Sequence, residues 1–211
     1  MNSLLVTMLK GTVTSLEIFC LTLLFSLPLG LIIAVGRLSK TKLISSPIGV
    51  LLLIVRGTPL ILQLIFVYFA PYYLFKLSYD RFTAVIVAFS LNYACYFAEI
   101  YRGGIQSIPQ GQYEAAKVLG LTKKQGFFRI ILPQVVKRIL PATGNEVITL
   151  VKDTALAQVI GVAELFRVAQ NAASKQFSTM PIFIAGVFYF IMNWAVSAGF
   201  ARLEKKLDYY R

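Results

Sequence analysis

Histidine is absent from all 211 residues, which removes imidazole acid–base chemistry and the commonest protein metal ligand. Cysteine is scarce: Cys20 and Cys95 both lie inside apolar runs, with neither a metal-ligand spacing nor a disulfide framework, and say nothing of redox compartment. No G-x-x-x-x-G-K-S/T phosphate loop occurs, so the chain is not of the nucleotide-hydrolysing kind that such a loop serves. No nucleophile constellation emerges from the serines and acids. No fixed-period repeat, low-complexity tract or linker divides the chain, and one domain over residues 1–211 is expected. Charge is also sparse, at 14% of residues.

What fills the chain instead is apolar. It is 57% hydrophobic with a mean hydropathy of +0.72, the composition of a polytopic membrane protein rather than of a water-soluble domain. Five spans are expected: Gly11–Val35, Pro47–Phe69 with a possible extension to Tyr73, Phe82–Tyr101, Ile139–Val162 and Pro181–Phe200. The first run is longer than a signal-peptide core and has no small-residue cleavage pattern, so it reads as a retained span. Glu164 to Thr179 is polar and mixed, a surface or partly re-entrant helix.

The formal charge of +12 does not mark a nucleic-acid binder, because the basic residues form no single face or tail. Orientation in a bilayer accounts for them better. The loop with Arg37, Lys40 and Lys42, the loop from Arg102 to Arg138 and the tail with Arg202, Lys205, Lys206 and Arg211 together hold 14 of the 21 Lys and Arg, against five on the other side. The positive-inside rule then puts the long loop and the C-terminus in the cytoplasm and the N-terminus outside.

Several polar side chains fall within the spans. Counting helical rise from the span ends puts Arg56 about 14 Å from the inner edge and Asp153 about 20 Å. Asn92 lies near the middle of its span, and Glu17 six residues from an outer end. Ionised groups in hydrocarbon cost at least a few kcal/mol, so such residues face a protein interior or a wet cavity. Helix breakers accompany them, with Gly57 and Pro59 beside Arg56 and Pro28 in the first span. Loosened helices expose backbone groups to polar solutes, as transporters do at midplane sites. An interhelical ion pair between Arg56 and Asp153, with Glu17 snorkelling, is the purely structural alternative.

The long loop carries the most specific pattern. Pro109 suits a helix start and Gly120 a left-handed helix end, which bounds a short helix at about Gln110–Leu119. Thr122 and Gln125 read as a capping box, and Pro133 is expected to stop or kink a second helix at about Lys123–Ile131. Glu114, Ala115, Ala116, Gly120, Ile130, Leu132 and Pro133 fill every fixed position of E-A-A-x3-G-x9-I-x-L-P. This resembles the loop by which membrane subunits of ATP-binding-cassette importers dock on their ATPases. The resemblance implies that Ala115 and Ala116 allow close approach and that Glu114 offers a charge to a basic partner residue.

Further stretches are similar to the polar amino acid permeases of that importer family: Arg56-Gly57-Thr58-Pro59-Leu60, Ala98 to Ile105, Ile108 to Gln112, and Lys152-Asp153-Thr154-Ala155-Leu156. Ala155 departs from the family, which often has serine there. The resemblance implies an all-α transmembrane, five-span type I importer permease fold with cytoplasmic coupling helices. It also implies a bacterial inner membrane location, an external solute-binding protein, and ATP and magnesium held by two partner ATPases with no cofactor in this chain. A second permease copy is implied as well, and a nonredundant polar set in one chain favours a homodimer.

For the solute, an amino acid zwitterion needs a donor for its carboxylate and an acceptor for its amine. Arg56 and Thr58 suit the first role, Asp153 and Glu17 exceed the second, and Asn92 and Thr154 complete the expected substrate set. The surplus of acid predicts a cationic amino acid such as arginine, lysine or histidine. Glu99 is expected to pair with Arg102. An importer of neutral or acidic amino acids, a stand-alone ion-coupled carrier or channel, and a structural scaffold are the alternatives.

Overall fold

The computed structural model describes residues 2–207, with side chains from residue 4 onward; Arg211 of the basic tail lies outside the described residues. Every regular element in that range is helical. The first helix, α1 (Asn2–Arg37), is an unbroken 36 residues despite Pro28 inside it. At 1.5 Å per residue it rises about 54 Å, well past a hydrocarbon layer of about 30 Å. Its buried residues include Ser15, Ile18, Thr22 and Ser26, and the helix packs chiefly on α4 (Arg81–Gln106).

The expected second span is not one straight helix. It is α2 (Lys42–Gly57) and α3 (Leu60–Phe75), bent by 110° at a two-residue break. Proline explains the break: Thr58, which precedes Pro59, is pushed into extended conformation at φ −122°, ψ 147°, and the helix cannot run through it. The strap across the gap is Gln63, whose amide donates to Val55 O at 2.7 Å, Thr58 O at 3.1 Å and Thr58 Oγ1 at 2.9 Å.

Helix α4 is the core of the molecule. It starts where Asp80 caps the Thr83 N–H at 2.9 Å, and it buries Phe89, Tyr93 and Phe97 completely or nearly so. Aromatic bodies in apolar surroundings supply most of the packing area here.

Between α4 and α7 (Leu132–Asp153) lies the compact elbow of α5 (Gln110–Val118) and α6 (Lys123–Gly126). Pro109 stands as the cap just before α5 rather than within its first turn. Helix α5 closes with the paired bonds of a Schellman turn, Leu121 N to Ala116 O at 3.1 Å and Gly120 N to Lys117 O at 3.0 Å. Gly120 sits at φ 71°, the left-handed region that a Cβ disfavours. The Thr122–Gln125 capping box is formed in both directions.

Pro133 does not end the second helix. Residues Phe127–Ile131 wind as a π-helical turn, and α7 follows directly with Pro133 in its first turn. A wider turn absorbs the missing N–H without terminating the helix. Helix α7 then tightens after Asp153 into a 3-10 stretch, Thr154–Ile160, that stops at Gly161 with φ 85°. The Arg81 guanidinium lies so close that a Cβ on Gly161 would meet its Nη1 at 2.8 Å. Helix α8 (Leu165–Gln176) and α9 (Met180–Leu207) complete the chain.

Among the described residues, α1, α4 and α9 are each long and apolar enough to cross a membrane, and the bent α2–α3 pair makes up to a fourth crossing. Helix α7 is not among them, since Lys137, Arg138, Glu146, Lys152 and Asp153 interrupt its apolar character.

Candidate functional site

The α2–α3 break, the middle of α4 and the end of α7 converge on a cavity of about 300 Å³. Its polar lining is Thr58 from the break, Asn92, Tyr93 and Tyr96 from α4, and Glu146, Thr149 and Asp153 from α7. It contains two carboxylates and no lysine or arginine. Tyr93 donates its hydroxyl to Asp153 Oδ2 at 2.8 Å, and the Asn92 amide donates to Gln63 Oε1 at 2.9 Å. Pro59 and Leu60 also line the space, so the first turn of α3 borders it; there the Leu62 and Gln63 N–H groups bond Pro59 O, and those of Leu60 and Ile61 precede the helical ladder.

Of the substrate residues expected from the sequence, the structure therefore brings together Thr58, Asn92 and Asp153. It does not bring Glu17, Arg56 or Thr154 to them. Glu17 is exposed, on the side of α1 turned away from the Ser15–Ile18–Thr22 face that packs inward. Thr154 is buried, donates to Val151 O at 2.8 Å, and borders a different, apolar cavity of about 290 Å³ with Ser15, Phe19 and Met192.

Arg56 is likewise engaged elsewhere. Its Nη1 is 3.5 Å from Glu99 Oε2, and its guanidinium carbon lies 5.3 Å from the centre of the Tyr96 ring. The structural alternative of an Arg56–Asp153 pair is thus replaced by Arg56–Glu99. Glu99 also receives both expected bonds from Arg102, at 2.9 and 2.7 Å. Arg56 and Glu99 border a second, open cavity of about 370 Å³, with Arg37, Gly49 and Gly57.

Glu146, Tyr93, Tyr96 and Gln63 were not picked out from the sequence. A signal for the first existed: Glu146, Thr149 and Asp153 are spaced three and four residues apart, which puts them on one helical face.

On the elbow, Glu114 and Ala115 are exposed, whereas Ala116 is buried against Gly126, whose Cβ if added would meet the Ala116 Cβ at 3.2 Å. Ala116 thus serves packing inside the elbow, not its outer face. Val118 and Leu119 follow on that outer face, 87% and 72% exposed. Among the described residues no group of three or more Cys, Asp or Glu converges as a metal site.

Residues 26–209 match the family model described as the binding-protein-dependent transport system inner membrane component. The chain belongs to that family. It is 37% identical over 202 residues to the L-cystine transport system permease protein TcyB of Bacillus subtilis (strain 168), covering 95% of this chain and 86% of that protein. To the arginine transport system permease protein ArtQ of the same organism it is 36% identical, over 94% of this chain and 91% of the relative. A solved structure described as that of an amino acid ABC transporter with histidines superposes with a TM-score of 0.88 at 34% identity, covering 95% of this chain and 94% of the other. The chain is accordingly a permease subunit of an amino acid ATP-binding-cassette importer, with the type I permease fold.

Proposed function

We propose that this permease imports a cationic amino acid of the arginine, lysine or histidine kind, bound in the cavity at the α2–α3 break. The observation that carries this is the lining itself: two carboxylates, Glu146 and Asp153, and no basic side chain among the lining residues. A neutral amino acid presents one ammonium and requires one carboxylate; a second acid in a low-dielectric cavity calls for a second cation. Asp153 and Glu146 take the α-amine and the side-chain cation. The α-carboxylate faces Thr58 and the open first turn of α3, where the helix dipole favours negative charge. Asn92 adds an amide contact, held by Gln63.

In this reading the chain is a single five-span domain, with α7 as the remaining crossing. Its charged residues are tolerated because Glu146 and Asp153 face a cavity rather than lipid. The N-terminus lies outside the bacterial inner membrane and the C-terminus in the cytoplasm, following the basic loops. The exposed Glu114, Ala115, Val118 and Leu119 of the α5 elbow dock on the ATPase subunit, with Gly120 setting the turn. ATP and magnesium are bound there, so this chain binds no cofactor and performs no hydrolysis. Two copies form the pore, and an external binding protein delivers the solute. ATP-driven closure of the ATPases moves the elbow, and the helices rock about the cavity.

The test is uptake by the full complex in proteoliposomes, comparing labelled arginine with glutamine. Glu146→Gln is expected to lower the arginine-to-glutamine ratio by about tenfold, the worth of one charge-assisted contact. An unchanged ratio in both Glu146→Gln and Asp153→Asn rejects the cationic assignment.

A further inference from the structure

Two cavities stand on either side of one side-chain contact. Tyr96 lines the acidic cavity with Asp153, Arg56 lines the neighbouring cavity with Glu99, and the Arg56 guanidinium rests over the Tyr96 ring at 5.3 Å. The second cavity lies toward the Arg37 end of α1 and Gly49 of α2, the side from which α5 follows α4. Cation–π contacts hold by about 1 kcal/mol when partly exposed, enough to close a partition and little enough to open it. The Arg56 side chain is 42% exposed.

The charge of this second cavity is unbalanced. Arg37 and Arg56 line it with the single carboxylate of Glu99, and Arg102, outside the lining, takes one lone pair on each carboxylate oxygen and leaves one on each. Arg37 gives one bond, from Nη1 to Ser45 O at 3.2 Å, which leaves further donors of its planar fork available. Arg56 holds Glu99 only at 3.5 Å. The cavity thus offers guanidinium donors for a carboxylate and an acid for an ammonium. The acid among these guanidinium groups matches the ammonium of a zwitterion, a group that phosphate lacks. Leu52 and Leu53 supply apolar wall for an aliphatic stem.

We propose that this cavity is a second, transit subsite for the α-amino and α-carboxylate groups of the transported amino acid, separated from the acidic cavity by the Arg56–Tyr96 partition. Arg37 and Arg56 hold the carboxylate, Glu99 the ammonium, and the solute passes when the guanidinium leaves the ring. Recognition here reads the backbone common to amino acids, while the acidic cavity reads the side chain. This inference rests on the acidic cavity being the substrate site proposed above.

The two can be tested apart. Labelled L-arginine, L-glutamine and L-cystine are titrated onto the purified permease–ATPase complex, and bound molecules per permease chain are counted for the tightest binder. Gly57 borders the transit cavity and a Cβ there would meet nothing within 4 Å, so Gly57→Val adds its branched side chain from an unobstructed Cβ. The expected result is a tight and a weaker site, with Gly57→Val abolishing the weaker, Arg37→Gln loosening it by about tenfold through one lost charge-assisted contact, and both leaving the tight site intact. Asp153→Asn is expected to loosen the tight site alone. A single site per chain, or a weaker site unmoved by both Gly57→Val and Arg37→Gln, overturns the transit subsite. A tight site unmoved by Asp153→Asn, or no binding of any of the three, overturns the acidic cavity and this inference with it.

Discussion

Asp153 and Glu164 are both buried or half-buried carboxylates near the ends of the same stretch of chain, yet their surroundings are opposite. Glu164 is wholly inaccessible and saturated: it accepts the Phe166 N–H at 2.6 Å, the Arg167 N–H at 2.7 Å and the Tyr189 hydroxyl at 2.9 Å. It caps α8 and ties that helix to α9, while Ser15 Oγ of α1 receives the neighbouring Leu165 N–H at 3.2 Å. Asp153 accepts one hydroxyl, from Tyr93, and otherwise opens into a cavity. A carboxylate whose lone pairs are all used holds a fold together. One with acceptor capacity left beside a cavity is available to a ligand.

Three experiments sharpen or break this contrast. The largest effect is expected on stability: Glu164→Ala strands buried donors on α8 and α9 and should cost on the order of 3 kcal/mol, read as a fall in the thermal midpoint of the purified complex. A change of under a degree would show that the cap is not what joins these helices. Asp153→Asn comes next, and on a different readout. Asparagine keeps an acceptor for Tyr93, so the midpoint should move by only about 1 kcal/mol equivalent, while arginine uptake falls about tenfold or more. Equal loss of stability from both substitutions would erase the distinction.

The smallest effect belongs to a third carboxylate, Asp80, which caps α4 as Glu164 caps α8 but is fully exposed. Hydrogen bonds from the Thr83 hydroxyl and N–H hold its carboxyl below the usual value of 3.8. A lowered folded value means that the cap contributes stability above pH 3.8, and that this contribution is lost as the pH falls through the lower folded value. Asp80→Asn should therefore flatten the acid limb of the stability profile slightly and leave neutral pH almost unchanged. A large loss at neutral pH would contradict its exposed, solvent-screened position.

Much of the elbow was legible before any coordinates, because its instructions are local. Pro109, Gly120 and the Thr122–Gln125 pair each act within one turn of chain, and α5 and the capping box follow from them. Pro133 was misleading for the same reason. Read locally it is a stop or a kink, but the π turn ahead of it, which lets the helix run on, is something no window of sequence displays. The same applies to the 110° bend, where Gly57 and Pro59 announced a break but not its angle. Thr58, Asn92 and Asp153 stood out as polar residues in apolar runs and do share a cavity. Arg56 stood out equally and does not, because depth in a bilayer does not specify which way a helix faces. Glu146 escaped notice within the most amphipathic of the expected spans, and Glu164 looked like one more charge in a polar stretch.

The π turn at Phe127–Ile131 also has a rotational meaning. One residue more in a turn advances a helix by about 100° about its axis, so the side chains above Pro133 are out of phase with those below it. The α6 turn of the elbow and the acidic face of α7 are consequently indexed separately, though they belong to one continuous rod. A substitution that restored ordinary winding there would swing Glu146 and Asp153 away from their cavity while leaving Glu114 where it is.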